Sequence, residues 1–402
     1  MIRELTAPYY RGRGYVGDGM NLAARAIADS FKTWGLEVPP FFKNMIHPFK
    51  VSVNTFPGKL KLKLDKIELK AGQDYHVMPD SPPFTGKFKI IRLEDKINKG
   101  VNPQKAIFLI NYSQCENDSC RKILKFKEDS LHTNGFHIVR VSHKHEPWYP
   151  YWKQARALRI NIHPRAPRET WLKARKADIS VESVFHKEYT CFNVMGYKKG
   201  EREDTFLVVT GHIDHLGMMG EKCIYPGAND NASGTAMMMA LAKLFSAQKN
   251  LPYSMLFIGF GAEELGLAGS RAFVHDFKKI MPQIRFLLNL DLMGGGDKGV
   301  TLVNGVELHH ISQIADSINS SCRLIAEVKR RSNAANSDHY FFTLEEVPAI
   351  FGFAMGEGIA YHDIHDTFEK LPMHNCSALL TLWSHVIREL LKPLPANILQ
   401  PK

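Results

Sequence analysis

Seven residues carry most of the chemistry open to this sequence: His212, Asp214, Asp230, Glu263, Glu264, Asp291 and His362. Each has an ordinary reading when taken alone. His212 follows Gly211 at the end of an apolar run, and an Asp two residues on suits the orientation of a metal-binding imidazole. A hydrogen-bonded surface histidine would read the same way. Asp230 stands in Gly-Ala-Asn-Asp-Asn-Ala-Ser-Gly (227–234), just before a long helical stretch, where an Asp also serves as a helix cap. Glu263 and Glu264 adjoin, and two carboxylates beyond a buried strand repel each other unless a cation is present. Asp291 lies in Leu-Asn-Leu-Asp-Leu-Met (288–293), an apolar setting that is costly for an unpartnered carboxylate. His362 follows Tyr361 and precedes Asp366-Thr367. Together they put imidazole and carboxylate groups at successive strand ends. That donor set suits a pair of divalent cations roughly 3.5–4 Å apart that share one carboxylate.

The elements that must hold these residues follow from periodicity. Residues 206–210, 253–260, 285–292 and 347–353 are short apolar runs, separated by helical stretches at 232–247, 269–279 and near 308–319, with another at 378–391. Strands alternating with helices predict an α/β fold, a mostly parallel mixed sheet with helices on both faces. Ligands of such sheets bind beyond the C-terminal strand ends, where all of these residues fall. Upstream, Leu22, Ala26, Ile27, Phe31 and Trp34 share one face of a helix predicted over 21–36, with Gly35 as its stop. Residues 49–93 are short, alternating and turn-rich, which predicts strands. Strands at 105–111 and 135–141 then flank a basic helical stretch.

Gly-His-Ile-Asp-His-Leu-Gly (211–217), the 227–234 segment, Ala-Glu-Glu-Leu-Gly (262–266), Asn-Leu-Asp-Leu-Met (289–293), Ser-Asp-His (337–339) and Tyr-His (361–362) together resemble the M28 metallopeptidases, co-catalytic zinc aminopeptidases and their relatives. Order and spacing agree over about residues 180–390. The resemblance implies two Zn2+ ions per chain, bridged by Asp230, with His212 and Asp291 completing one site and Glu264 and His362 the other. It further implies that Glu263 is the general base and that Asp214 orients His212. The family usually follows its last histidine with Thr-Pro, whereas this chain has Asp363-Ile364-His365, which makes His365 a rival to His362. Residues 75–165 resemble, more loosely, a protease-associated insert. The expected division is therefore 1–48, an N-terminal helix region packing on the catalytic domain; 49–170, a smaller β-rich insert; and 171–402, the zinc peptidase domain.

The implied reaction is hydrolysis of the N-terminal peptide bond of a peptide with a free N-terminus. A water between two zinc ions loses its proton near neutral pH, and Glu263 carries that proton to the leaving amine. Three rivals stand beside it. A carboxypeptidase of the same family shares the ligands. A glutaminyl cyclase binds one zinc and tends to lose part of the ligand set. A non-catalytic binding homologue would have no use for Glu263.

Composition bounds the partners. With 52 Lys and Arg against 41 Asp and Glu, the chain carries +11, yet no basic block is interleaved with aromatics, so no nucleic-acid partner is expected and the surplus reads as a solvated exterior. No apolar run approaches the roughly 18 residues of a membrane span. Residues 1–6 lack the apolar stretch of a leader, while Arg11–Gly14 and the helix after them resemble the start of secreted bacterial members. A periplasmic or extracellular location, with the leader absent from this sequence, is the expectation. Six cysteines are too few for a disulfide scaffold, although Cys115 and Cys120 are close enough for a local bridge. The oligomeric state is left open.

Overall fold

The computed structural model describes residues 1–93, 102, 105–356 and 360–393. Its N-terminal helix α1 (Gly19–Thr33) starts two residues earlier and ends three residues earlier than its apolar spacing predicts. Met20, Ala23, Ala24, Ile27, Ala28 and Phe31 are its buried face, and Gly35, at φ +76°, takes the left-handed turn that stops it. Strand β1 (Ile46–Thr55) follows. The chain then enters an insert built on β2 (Leu60–Leu64), β3 (Ile67–Leu69), β4 (Tyr75–Val77), β5 (Phe84–Arg92), β6 (Ala106–Asn111), helix α2 (Asp118–Thr133), β7 (His137–Val141), β8 (Arg159–Ile162) and β9 (Lys176–Val181). These eight strands form one sheet in the order β3-β2-β9-β5-β6-β7-β8-β4. Cys115 and Cys120 are disulfide-bonded just before and at the start of α2.

The main sheet uses β1, β10 (Val184–Lys198), β11 (Arg202–His212), β14 (Tyr253–Phe260), β15 (Ile284–Leu290), β16 (Val300–Val303), β17 (Val328–Arg331) and β18 (Ala349–Ala354), with a small ribbon of β12 (Gly217–Met219) and β13 (Cys223–Tyr225) at its side. Its order is β1-β10-β14-β11-β15-β18-β16-β17. The four central strands β14, β11, β15 and β18 run parallel. Both faces are covered, which is why the central stretches of these strands are mostly apolar. Leu207, Val209, Met255, Phe257 and Leu288 pack towards α1, α3 (Gly234–Ser246) and α6 (Cys376–Leu390). Val208, Leu256, Ile258 and Leu287 pack on the other side with residues of α4 (Ala268–Asp276). Helix α5 (His309–Cys322) lies beside α6.

The sheets divide the chain at different places from 49 and 170. Strand β1 straddles residue 49 and pairs antiparallel with β10 of the main sheet, while β9, beyond residue 170, belongs to the insert, where it pairs with β2 and β5. The two bodies share a core: Leu216, Met219, Cys223 and Tyr225 of the ribbon region pack among Phe56, Leu62, Ile90, Leu109, Val139 and Ile160.

Candidate metal centre

The carboxyl ends of the parallel strands converge as the alternation requires. His212 is the last residue of β11; Glu263 and Glu264 follow β14; Asp291 follows β15; and His362 lies on the loop after β18. Asp230 arrives from the turn that leads into α3. His212, Asp230, Glu264, Asp291 and His362 are all buried. The His212 Nε2 lies 3.2 Å from Asp291 Oδ1 and 3.3 Å from Asp230 Oδ1. The His362 Nε2 lies 3.0 Å from Asp230 Oδ2 and 3.1 Å from Glu264 Oε2. Asp230 therefore presents one oxygen to each histidine. Two groups of donor atoms, each within 4.8 Å of one another, meet at Asp230: His212, Asp230 and Asp291 on one side, His215, Asp230, Glu264 and His362 on the other.

These residues fit divalent cations. His362 Nε2 makes no hydrogen bond despite its two close carboxylates, the arrangement of donors aimed at a common point rather than at each other. Burial opposes charge on this ring, but Glu264 and Asp230 outweigh it and push His362 up to about 11. The cluster thus draws positive charge to itself, as buried carboxylates must. Glu263 belongs to neither group and is only partly buried. Burial, opposed by His212 and reinforced by Glu264, holds its carboxyl well above the usual carboxylate range.

Each of these side chains is held by a neighbour. The Asp214 carboxylate accepts the backbone N–H of Glu263 at 3.0 Å and of Glu264 at 3.2 Å. The Nδ1–H of His212 donates to the Asp214 carbonyl at 3.2 Å, with the carboxylate 3.7 Å away. Asp214 thus supports the glutamate turn at least as directly as it supports His212. Ser337 Oγ donates to Asp291, and Asn289 donates to Ser337. Asp366 accepts the N–H groups of Asn229 and Asp230, pinning the turn that presents Asp230. His365 lies apart, with its Nδ1 on Asp363 Oδ1 and its side chain about half exposed.

Three supports were not anticipated from the sequence. His215 donates from Nδ1 to Glu264 Oε1 at 2.9 Å; its place three residues after His212 was the available signal. The Nδ1–H of His362 donates at 2.9 Å to the carbonyl of Trp148, in the insert, and no local pattern connects residues so distant. Arg13 is fully buried and donates to the carbonyls of Leu5, Ile213, Pro226 and Gly227. It thereby ties the loop after His212 to the turn before Asp230. The chain passes close enough because Gly14 lies against Gly217: a Cβ on Gly14 would stand 2.5 Å from the Gly217 Cα. A cleft of about 270 Å³ opens onto the cluster, with Phe351, Phe353 and Tyr361 among its walls and Arg331 and Asn336 at its rim.

The sequence profile of peptidase family M28 matches residues 193–387. An aminopeptidase of Bacillus subtilis is 37% identical over 110 residues, which is 26% of this chain and 22% of that protein. A probable zinc metalloprotease of Pyricularia oryzae is 33% identical over 112 residues, 27% of this chain and 22% of that protein. The matched stretch is thus under a quarter of the length of these relatives. Among solved structures, a zinc aminopeptidase from Bacillus subtilis superposes with a TM-score of 0.68 at 18% identity, covering 96% of this chain and 94% of that one. An aminopeptidase from Aneurinibacillus sp. strain AM-1 gives 0.63 at 19% identity, covering 98% and 96%. At such identity the structural likeness speaks for the fold, and the sequence profile and its motifs for the lineage. Residues 193–387 are thus similar to peptidase family M28.

Proposed function

We propose that this protein is a zinc-dependent aminopeptidase that hydrolyses the first peptide bond of a peptide with a free N-terminus. The observation that carries this reading is the sharing of Asp230 between two buried donor groups, with Glu263 beside them and outside both. His212 and Asp291 would complete one zinc site with Asp230, and His362 and Glu264 the other. Two zinc ions held there supply Lewis acidity for the scissile carbonyl and acidify the attacking water. Glu263 accepts a proton at its carboxylate and passes it to the leaving amine. Asp214 fixes the backbone of Glu263, and so the direction of that carboxylate. His215 donates to one Glu264 oxygen and leaves the other facing His362. The small cleft accommodates about one residue, which favours cleavage at a chain end. Secretion to the periplasm or medium belongs to the same proposal and is supported by the resemblance at residues 11–14.

Arg331 at the cleft rim favours a second reading, since a guanidinium there would suit a C-terminal carboxylate. One assay separates the two: release of amino acids from a free peptide and from its N-acetylated and C-amidated forms. An aminopeptidase releases residues from the free and amidated peptides only, with two zinc ions per chain by elemental analysis. Release from the acetylated peptide identifies a carboxypeptidase. Conversion of N-terminal Gln to pyroglutamate, with one zinc ion bound, identifies a cyclase.

A further inference from the structure

The net charge of this protein lies in one of its two bodies. Residues 60–181 contain 24 Lys and Arg against 13 Asp and Glu, while the rest of the chain has 28 of each. The entire +11 therefore belongs to the insert. Strand alternation directs much of it to a single face. On β2, β5 and β9 the residues Leu62, Leu64, Phe88, Ile90, Ala177 and Ile179 enter the core shared with the peptidase domain. Their alternates Lys61, Lys63, Lys87, Lys89 and Lys176 therefore point the other way, to the face that looks away from that domain. Helix α2 packs on this outer face through Leu124 and Leu131 against Ile110 and Ile138. Its free side exposes Lys122, Lys125 and Lys127 together with two large apolar side chains one turn apart, Ile123 at 57% and Phe126 at 76% exposure. Lys61 and Lys125 pair with Asp178 and Asp129; Lys63, Lys87, Lys89, Lys122, Lys127 and Lys176 make no ion pair among the described residues.

We infer that this outer face docks on the surface of a bilayer containing anionic phospholipid. Lysines supply the attraction to the headgroups, and Ile123 and Phe126 enter the boundary between headgroups and acyl chains. A soluble polyanion would match the lysines and leave the two apolar side chains without a role. The peptidase domain packs on the opposite side of the insert sheet, so docking leaves it clear of the membrane.

The test is co-sedimentation of the full chain with vesicles of phosphatidylcholine alone and of phosphatidylcholine mixed with phosphatidylglycerol. Binding is expected only to the mixed vesicles, weakening as salt screens the charges. Lys122→Ala and Lys127→Ala should each weaken it about fivefold. The Ile123→Ser/Phe126→Ser pair should weaken it about tenfold or more, with melting temperature and cleavage of a soluble peptide unchanged. Equal or absent binding to both vesicle types at low salt overturns the inference. So does binding to heparin as tight as to the mixed vesicles and unaffected by the Ile123/Phe126 pair, which reassigns the face to a soluble polyanion. The peptidase reading is untouched by either failure, because it is read by product release.

Discussion

Adjacent Glu263 and Glu264 occupy different environments, so their substitutions should fail differently. Glu264 faces His362 and His215, and Glu264→Gln should lower metal content and activity together. Glu263 joins neither donor group, so Glu263→Gln should keep its metals and fold while kcat falls by roughly 10²–10⁴ with KM little changed. Loss of metal from Glu263→Gln, measured by elemental analysis of the folded protein, would reverse the two roles. Arg13 is a separate case, because it touches none of the donor atoms. Burial lowers its guanidinium to about 10, partly offset by Asp366, Asp230, Asp214 and Glu264. Arg13→Met takes a donor from four inward-facing carbonyls, of which Gly227 keeps the Ala232 N–H, at a cost of about 1–3 kcal/mol for each left unpaired. Denaturant unfolding should show a loss of several such units, and metal affinity should fall with it because both loops lose their tie.

One carboxylate receives the two successive N–H groups of the turn that presents Asp230. Asp366 takes the N–H groups of Asn229 and Asp230, and Asn229 in turn accepts from Gly294 through its side chain. Asp366→Ala should therefore weaken metal binding at both donor groups together, while Asp366→Asn, which keeps one acceptor oxygen, should weaken it less. Titration of zinc with a competing chelator reads the difference; a change confined to one of the two ions would show that Asp366 does not act through Asp230. The loop of His362 is held from outside the main sheet, by Trp148 and by the pairing of Asp363 with Arg165 at 3.0 Å. Where the family has Thr-Pro, this chain has Asp363, and the insert supplies the cation that receives it.

At the scale of the molecule, acid should weaken the insert through its buried histidines. Asn161 donates to Nε2 of His76, Nδ1–H of His76 donates to His163, and Nδ1–H of His163 donates to the Gln73 carbonyl, a chain that needs both rings neutral. Burial, with Arg165 and His145 nearby, lowers His163 to about 4 and His76 well below its usual value. Burial likewise lowers His137, which accepts from the Leu158 N–H, to about 4. Unfolded histidines titrate near 6.5. The unfolded chain therefore binds more protons than the folded one below that pH, so this stability is complete above about 6.5 and is lost as pH falls towards 4. Melting temperature should drop steeply across that window, and a His76→Gln/His163→Gln variant should show a shallower slope. An unchanged slope would place the acid-sensitive groups elsewhere.

Periodicity and motif order made the α/β sheet, its strand ends and the seven candidate residues legible from the sequence, because side-chain alternation and strand-end chemistry are local properties. The N-terminal helix differed at its ends and in its face, since of the five expected residues only Ile27 and Phe31 are buried while Leu22, Ala26 and Trp34 are partly exposed. Only the tertiary structure decided which atoms of those residues face one another. It gave Asp230 one oxygen towards each histidine, put His362 rather than His365 in the cluster, and drew support from Arg13 and Trp148, which stand 200 and 214 residues from the groups they hold. Sheet membership of β1 and β9 was equally hidden, since a strand's partner is set by long-range pairing that its own sequence does not encode. The same holds for the charge of the insert: its lysines could be counted in the sequence, but only the fold turned them to one face.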